Sequence, residues 1–214
     1  TSLTINPPSI TPVKCFGGED GAISIVANGG TGQLTYTITP GGTTNNTGIF
    51  ENLPADDYSV EVHDANLCSV TTGTITVSQP GEIGIEATVK DVSCYGGKNG
   101  SIIITGITGG TAPYSRLWND GSTALYRTSL YAGEYKLTVT DDHGCVNSAT
   151  YTVNEPPELL IKNVDTFWNT ANQVGRITFE ATGGTEPYVY KLTGGNDHPD
   201  DTISNSDAGD FPGL

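Results

Sequence analysis

The chain has no methionine, only three histidines and no apolar run near the ~18 residues that a membrane-crossing helix requires. Nowhere do apolar residues recur at i, i+3, i+4 and i+7 over a helical length, so helices should be scarce. Basic residues are few and unclustered, 9 Lys and Arg against 24 Asp and Glu. Phosphate binding needs clustered Lys and Arg, so the net charge of −15 argues against a nucleic-acid partner. The same charge disfavours an anionic lipid surface unless divalent cations intervene. No leader pattern opens the sequence either: Thr1-Ser2-Leu3-Thr4 already alternates like a strand, so the opening is expected to be the interior of a longer precursor.

What is present is 28 Gly, 12 Pro and abundant Thr, with the 35% hydrophobic residues set in short alternating runs between Gly/Pro/Asn/Asp clusters. That pattern predicts ordered β structure with a core. The arrangement is repetitive. Cys15-Phe16-Gly17-Gly18-Glu19-Asp20-Gly21 returns 79 residues later as Cys94-Tyr95-Gly96-Gly97-Lys98-Asn99-Gly100. Gly29-Gly30-Thr31 returns as Gly109-Gly110-Thr111-Ala112-Pro113-Tyr114 and again as Gly183-Gly184-Thr185-Glu186-Pro187-Tyr188. Asp64 to Cys68 matches Asp141 to Cys145, and Val77-Ser78-Gln79-Pro80 matches Val153-Asn154-Glu155-Pro156. The third copy has no cysteine and reaches only Phe211-Pro212-Gly213-Leu214, the counterpart of Phe50 to Leu53.

A unit of about 75 to 80 residues can close a small sandwich, unlike the shorter solenoid repeats that must share a core. The expectation is therefore an all-β chain of tandem immunoglobulin-like β-sandwich repeats, beads on a string, with about seven short strands per complete copy. The boundaries expected are 1–9 as the last-strand remnant of a preceding copy and linker, 10–80 and 81–156 as complete sandwiches, and 157–214 as a truncated third. Alternation places Tyr58, Val60 and Val62, and likewise Tyr135, Leu137 and Val139, on buried faces, with Trp118 in the core. Leu130 to Tyr135 reads as a tyrosine corner, with Gly133 at a left-handed turn position and Asp56 at the same place in the first copy.

These motifs resemble the SprB repeat of Bacteroidetes surface proteins. The second copy fits through Cys94, Gly109 to Tyr114, Leu130 to Tyr135 and Cys145; the first departs at Gln33-Leu34 and at Leu67, where Gly is usual. The resemblance implies a segment of a large secreted cell-surface adhesin, exported across the outer membrane by the type IX system and tied to surface attachment or gliding motility. Its partners would be neighbouring repeats of the same polypeptide, with surface polysaccharide or other surface proteins as further candidates.

Four cysteines admit three pairings. Matching positions in two independently closed repeats favour Cys15 with Cys68 and Cys94 with Cys145, each closing a loop of some 50 residues for about 4 kcal/mol. Catalysis by a cysteine would need a histidine set against a thiolate, whereas His63 and His143 read as loop surface. No Cys-x-x-Cys pair supports zinc. Acidic residues in loops, Glu19, Asp20, Asp64, Asp141 and Asp142, could offer hard oxygen ligands to calcium between adjacent beads. The plainer reading makes them turn residues and a solvated acidic face, and Lys98-Asn99 stands where Glu19-Asp20 does in the first copy.

Gly30-Thr31-Gly32 precedes a strand and not a helix, so it cannot cradle a phosphate. No nucleophile elbow or zinc-protease motif occurs, and turn carboxylates on so small a repeat leave no deep cleft for glycoside hydrolysis. No catalytic activity is expected. Asp201-Thr202-Ile203 resembles the Bacteroidetes O-glycosylation motif, which makes Thr202 a candidate acceptor; Asn45-Asn46-Thr47 is a formal N-glycan sequon. The functional expectation is a stalk without a ligand of its own. The alternatives are a carbohydrate-binding module, in which Tyr126, Tyr131 or Trp168 would stack on sugars from one face, and a structural filament.

Overall fold

The computed structural model describes residues 2–171, 174–192, 201–204 and 208–212, and among them every regular element is a strand. The first copy of the repeat carries β1 (Thr4–Ile5), β2 (Ser9–Thr11), β3 (Gly21–Ser24), β4 (Ala27–Asn28), β5 (Thr35–Thr39), β6 (Thr44–Asn45), β7 (Ile49–Leu53), β8 (Asp56–His63), β9 (Ser69–Thr71) and β10 (Ile75–Val77). The second carries β11 (Gly84–Lys90), β12 (Gly100–Thr108), β13 (Ser115–Trp118), β14 (Tyr126–Leu130), β15 (Gly133–Thr140) and β16 (Val146–Val153). The third contributes β17 (Leu160–Asn169), β18 (Val174–Thr182), β19 (Val189–Leu192), β20 (Asp201–Ser204) and β21 (Ala208–Pro212). Where the second copy runs β11 unbroken, Pro7-Pro8 divides β1 from β2, because proline has no N–H to give a ladder.

The chain divides into two compact units, residues 1–86 with 106–123 and 137–149, and residues 87–105 with 124–136 and 150–214. In the first unit, the sheet β2-β3-β7 faces the sheet β10-β8-β5-β6, with β9 on β8. Ile23 and Phe50 from one sheet meet Tyr36, Ile38, Val60, Val62, Ile75 and Val77 from the other in a single core. This is the immunoglobulin-like sandwich expected. Strand β8 supplies Tyr58, Val60 and Val62 at alternate positions, all buried. Burial of side chains this size stabilises by about 1.5–3 kcal/mol each. The same unit holds the ladder of β13 on β15, from Ser115 opposite Thr140 to Trp118 opposite Leu137, with Trp118, Leu137 and Val139 buried.

In the second unit β12 pairs with β14, Gly100 opposite Leu130 and Ile102 opposite Arg127, and Ile102, Ile104 and Leu130 are buried. The third copy follows as β17-β18-β21 and β19-β20. Its described core is small: Ala181 and Tyr190, with Phe179 edge-on to Tyr190 at 4.9 Å between ring centres.

Two expectations are corrected here. Residues 1–9 are not a remnant of another copy, since β1 pairs with β4 and Leu3 and Ile5 pack into the first core. Leu3 lies against Gly30 as Ile83 lies against Gly110 and Leu159 against Gly184, so all three open their own repeats. The tyrosine corners form, Tyr58 donating to the Pro54 carbonyl and Tyr135 to the Tyr131 carbonyl, each at 3.0 Å. Asp56, however, does not take the left-handed conformation of Gly133; one residue before the leucine of each corner, Asn52 and Ser129 do, at φ of 58° and 56°. The bend into the corner is made there.

Candidate functional site: the repeat junction

The repeated motifs converge on the places where the chain passes from one copy to the next. At the exit from the first copy, Val13 N–H donates to the Ser78 carbonyl at 2.9 Å and Gly17 N–H to the Gln79 side-chain oxygen at 2.7 Å. Across Pro80, Gly110 N–H of the second copy donates to the Gly81 carbonyl at 2.8 Å. Only the proline separates a residue fixed to one repeat from a residue fixed to the next. The second junction repeats this: Val92 to the Asn154 carbonyl at 2.9 Å, Gly96 to Glu155 at 2.7 Å, then Gly184 to the Pro157 carbonyl at 2.7 Å. The Gly-Gly pair is required by space, since a Cβ on Gly109 would stand 1.9 Å from the Glu82 carbonyl oxygen and one on Gly183 2.0 Å from that of Glu158.

In the first two copies the Thr that ends Gly-Gly-Thr is held by a buried aspartate. Asp64 accepts from Thr31 at 3.0 Å and from Asn66 and Cys68 at 2.9 Å; Asp141 accepts from Thr111 at 2.8 Å, His143 at 2.9 Å and Cys145 at 2.8 Å. Burial by itself pushes both carboxyls up, but these backbone donors together outweigh it and hold each below the usual carboxylate range. Asp64 and Asp141, two of the five carboxylates expected as calcium ligands, are therefore engaged by the backbone as loop anchors, and Asp142 is exposed beside one of them. Asp20 accepts from Lys14 N–H at 3.0 Å, and Asn99 takes the same bond from Ser93 at 3.0 Å. An acceptor oxygen, not a charge, is what that position needs, which explains how Asn replaces Asp there. Glu19 is exposed. No group of three or more metal-ligating side chains occurs among the described residues.

Cysteine pairing is the main departure from expectation. Cys15 is bonded to Cys145, with Cα atoms 5.6 Å apart, while Cys68 and Cys94 are free and exposed. The expected Cys15–Cys68 and Cys94–Cys145 pairs do not form, and the register shows why for the first. Val77 pairs with Asp56 at the start of β8, placing Cys15 at that end, whereas Asp64 N–H bonds the Cys68 carbonyl just past the other end. Eight residues at about 3.3 Å each put roughly 25 Å between them, and a disulfide tolerates Cα separations only up to about 7 Å. The bridge thus joins the exit of one copy to the entry loop of the next. Matched positions within a repeat are not neighbours, and no sequence signal short of the strand register reveals it.

The remaining candidates are dispersed. His63 lies 3.3 Å from the Glu61 carboxylate. Tyr126 sits on β14, Tyr131 in the corner under the Lys98 ammonium, and Trp168 on β17, all exposed but on separate elements. The groove beside the bridge, lined by Cys15, Phe16, Ile83, Gly110 and Asn147 among others, encloses about 230 Å³, less than the ~300 Å³ at which small-molecule pockets begin. Thr202 lies in β20 opposite Lys191; its side chain is outside the described residues.

Residues 8–43 and 86–123 match the family model described as the SprB repeat. No curated protein matches the chain. Among solved structures it is similar to the Drosophila OTK extracellular domains 3–5, at 12% identity over 81% of this chain and 73% of that one, with a TM-score of 0.29. It is also similar to a C-terminal fragment of intimin in complex with the intimin-binding domain of the translocated intimin receptor, at 14% identity over 72% of this chain and 66% of that one, with a TM-score of 0.34.

Proposed function

Because the chain belongs to the SprB repeat family, we propose that it is a non-enzymatic stalk segment of a secreted cell-surface adhesin that holds a binding region away from the cell for attachment or gliding. The observation that carries this reading is the junction: hydrogen bonds fix the linker on both sides of a single proline, at Gln79-Pro80-Gly81 and at Glu155-Pro156-Pro157. Proline restricts itself and the residue before it, so each linker has little freedom to bend. A stalk needs that property and a ligand-binding module does not. The scatter of exposed aromatics over separate elements favours the stalk over stacking on a sugar. Export by the type IX route belongs to the same proposal.

The test is direct. Purified chain is titrated with polysaccharide from the bacterial surface and, separately, residues 81–156 are deleted from the intact surface protein. A stalk gives no saturable binding and a loss of attachment or gliding as the array shortens. Saturable binding by the purified chain would instead make it a carbohydrate-binding module. Small-angle scattering should show an elongated particle; a compact one, with repeats folded back on each other, contradicts the reading.

A further inference from the structure

We propose that Cys68 is the covalent docking point for the Cys-x-Gly-Gly turn of a repeat placed immediately ahead of it in the same polypeptide, so that successive cysteine-bearing repeats are bridged in series. The inference rests on the array part of the stalk reading and goes beyond it in assigning a bond.

The second copy shows the completed arrangement. Its loop cysteine, Cys145, holds the turn cysteine of the copy before it, Cys15. The loop around Cys68 has the same construction bond for bond. Asp64 N–H donates to the Cys68 carbonyl at 3.0 Å, as Asp141 N–H does to Cys145 at 3.0 Å; Ala65 donates to Thr31 and Asp142 to Thr111, both at 2.9 Å. Leu67 stands at φ 61° where Gly144 stands at 82°. The carboxylate anchors match as well, with Asp64 holding Cys68 N–H as Asp141 holds Cys145 N–H. Cys68 is therefore presented as Cys145 is, and it is exposed and outside any disulfide. The complementary half is equally regular: Gly18 N–H closes on the Cys15 carbonyl at 3.0 Å and Gly97 N–H on that of Cys94 at 2.9 Å. Every complete copy thus carries a turn cysteine at its exit and a loop cysteine at its entry. The partner's chemistry follows: a thiol followed by an exposed aromatic and two glycines, as in Phe16 and Tyr95.

The reaction is an oxidation of two thiols by a disulfide. The turn and loop sulfurs form one bond, and their two protons and two electrons pass to the oxidant disulfide, which is cleaved to two thiols. Oxidised glutathione serves in the test.

Register defines the experiment. Because Leu3, Ile83 and Leu159 are equivalent, Thr1 corresponds to Gly81, and a copy of residues 81–156 fused ahead of Thr1 in the full chain keeps the junction in phase. After treatment with oxidised glutathione, non-reducing peptide mapping should link the added copy's turn cysteine to Cys68 while Cys15–Cys145 persists. Iodoacetamide labelling of Cys68 should be lost relative to the unextended chain. A Cys68→Ser variant of the extended chain should keep Cys15–Cys145 and the same circular dichroism. Free Cys68 in the extended chain, a Cys15–Cys68 link, or a bridge found only in dimers on a non-reducing gel would each overturn the proposal. None of these outcomes depends on binding or scattering, so the stalk reading fails or stands separately.

Discussion

The second and third copies use the same clip, and the third differs from the first in the core that lies behind it. Gly184 N–H donates to the Pro157 carbonyl as Gly110 N–H does to that of Gly81, and Tyr188 donates to Gly183 as Tyr114 donates to Gly109. Yet the first copy buries eleven apolar residues in one core, whereas the described part of the third buries Ala181 and Tyr190 alone and leaves Ile161, Val164, Phe167 and Trp168 on β17 exposed. Among the described residues of the third copy no strand takes the place of β8, the central strand whose Tyr58, Val60 and Val62 close the first sandwich. Turn motifs are local and form without a core. A core needs a strand that is hydrogen-bonded on both sides and buried on one face.

Substitution at matched depths should give the largest contrast. Ile23→Ala, at a fully buried position, is expected to cost about 2–5 kcal/mol, a large share of the ~5–15 kcal/mol of a small domain. Ile161→Ala, on an exposed strand, should stay within about 0.5 kcal/mol. Hydrogen exchange read peptide by peptide along a urea series separates the two regions, and equal losses would show that the third copy is packed like the first.

Next in size is the carboxylate anchor. Asp64→Ala leaves three backbone N–H groups without their acceptor and should cost the first repeat about 1–3 kcal/mol. The pH dependence has a defined sign. Asp64 and Asp141 have carboxyls held below the usual range in the folded chain, so their contribution is complete above the unfolded value and is lost as pH falls through the lower folded one. Acid should loosen the first repeat in that window, with the effect on Thr31 exchange abolished in Asp64→Ala; an unchanged acid profile in the variant would refute the assignment.

Tyr58→Phe removes the bond to Pro54 and should cost about 1 kcal/mol. The smallest change has the opposite sign. Leu67 is 81% exposed and held at φ 61°, a conformation that costs a non-glycine residue about 1–2 kcal/mol. Leu67→Gly relieves it, less the ~0.5–1 kcal/mol of added chain entropy. A gain of about 0.5–1 kcal/mol in thermal unfolding is expected, and a loss would mean that the leucine packs on something.

Much of this was legible because strand period and turn chemistry are short-range properties. The buried face of β8, the tyrosine corners and Trp118 all follow from alternation and from glycine spacing. Two misreadings have one cause. The opening strand resembles Ile75 to Pro80, and matched cysteines suggested pairing within a repeat; both were settled by which ends of the strands lie together, a matter of register that single-chain periodicity does not encode. The role of Asp64 was hidden differently. A loop aspartate offers the same letters whether it binds an ion or its own backbone, and the three donors around Asp64 come together only in the folded loop.

The bridge between Cys15 and Cys145 spans 130 positions of sequence. When the two ends of the chain are pulled, tension runs along the backbone to the first sulfur, crosses to the second and continues, bypassing the intervening stretch. That stretch would measure roughly 450 Å if drawn straight at ~3.3–3.6 Å per residue, and it never enters the contour length while the bond holds. The first core lies almost wholly inside the bypassed stretch. While the bond holds, the enclosed sandwich carries no tension, and a reducing agent should lengthen the chain under constant pull because that sandwich is then loaded for the first time.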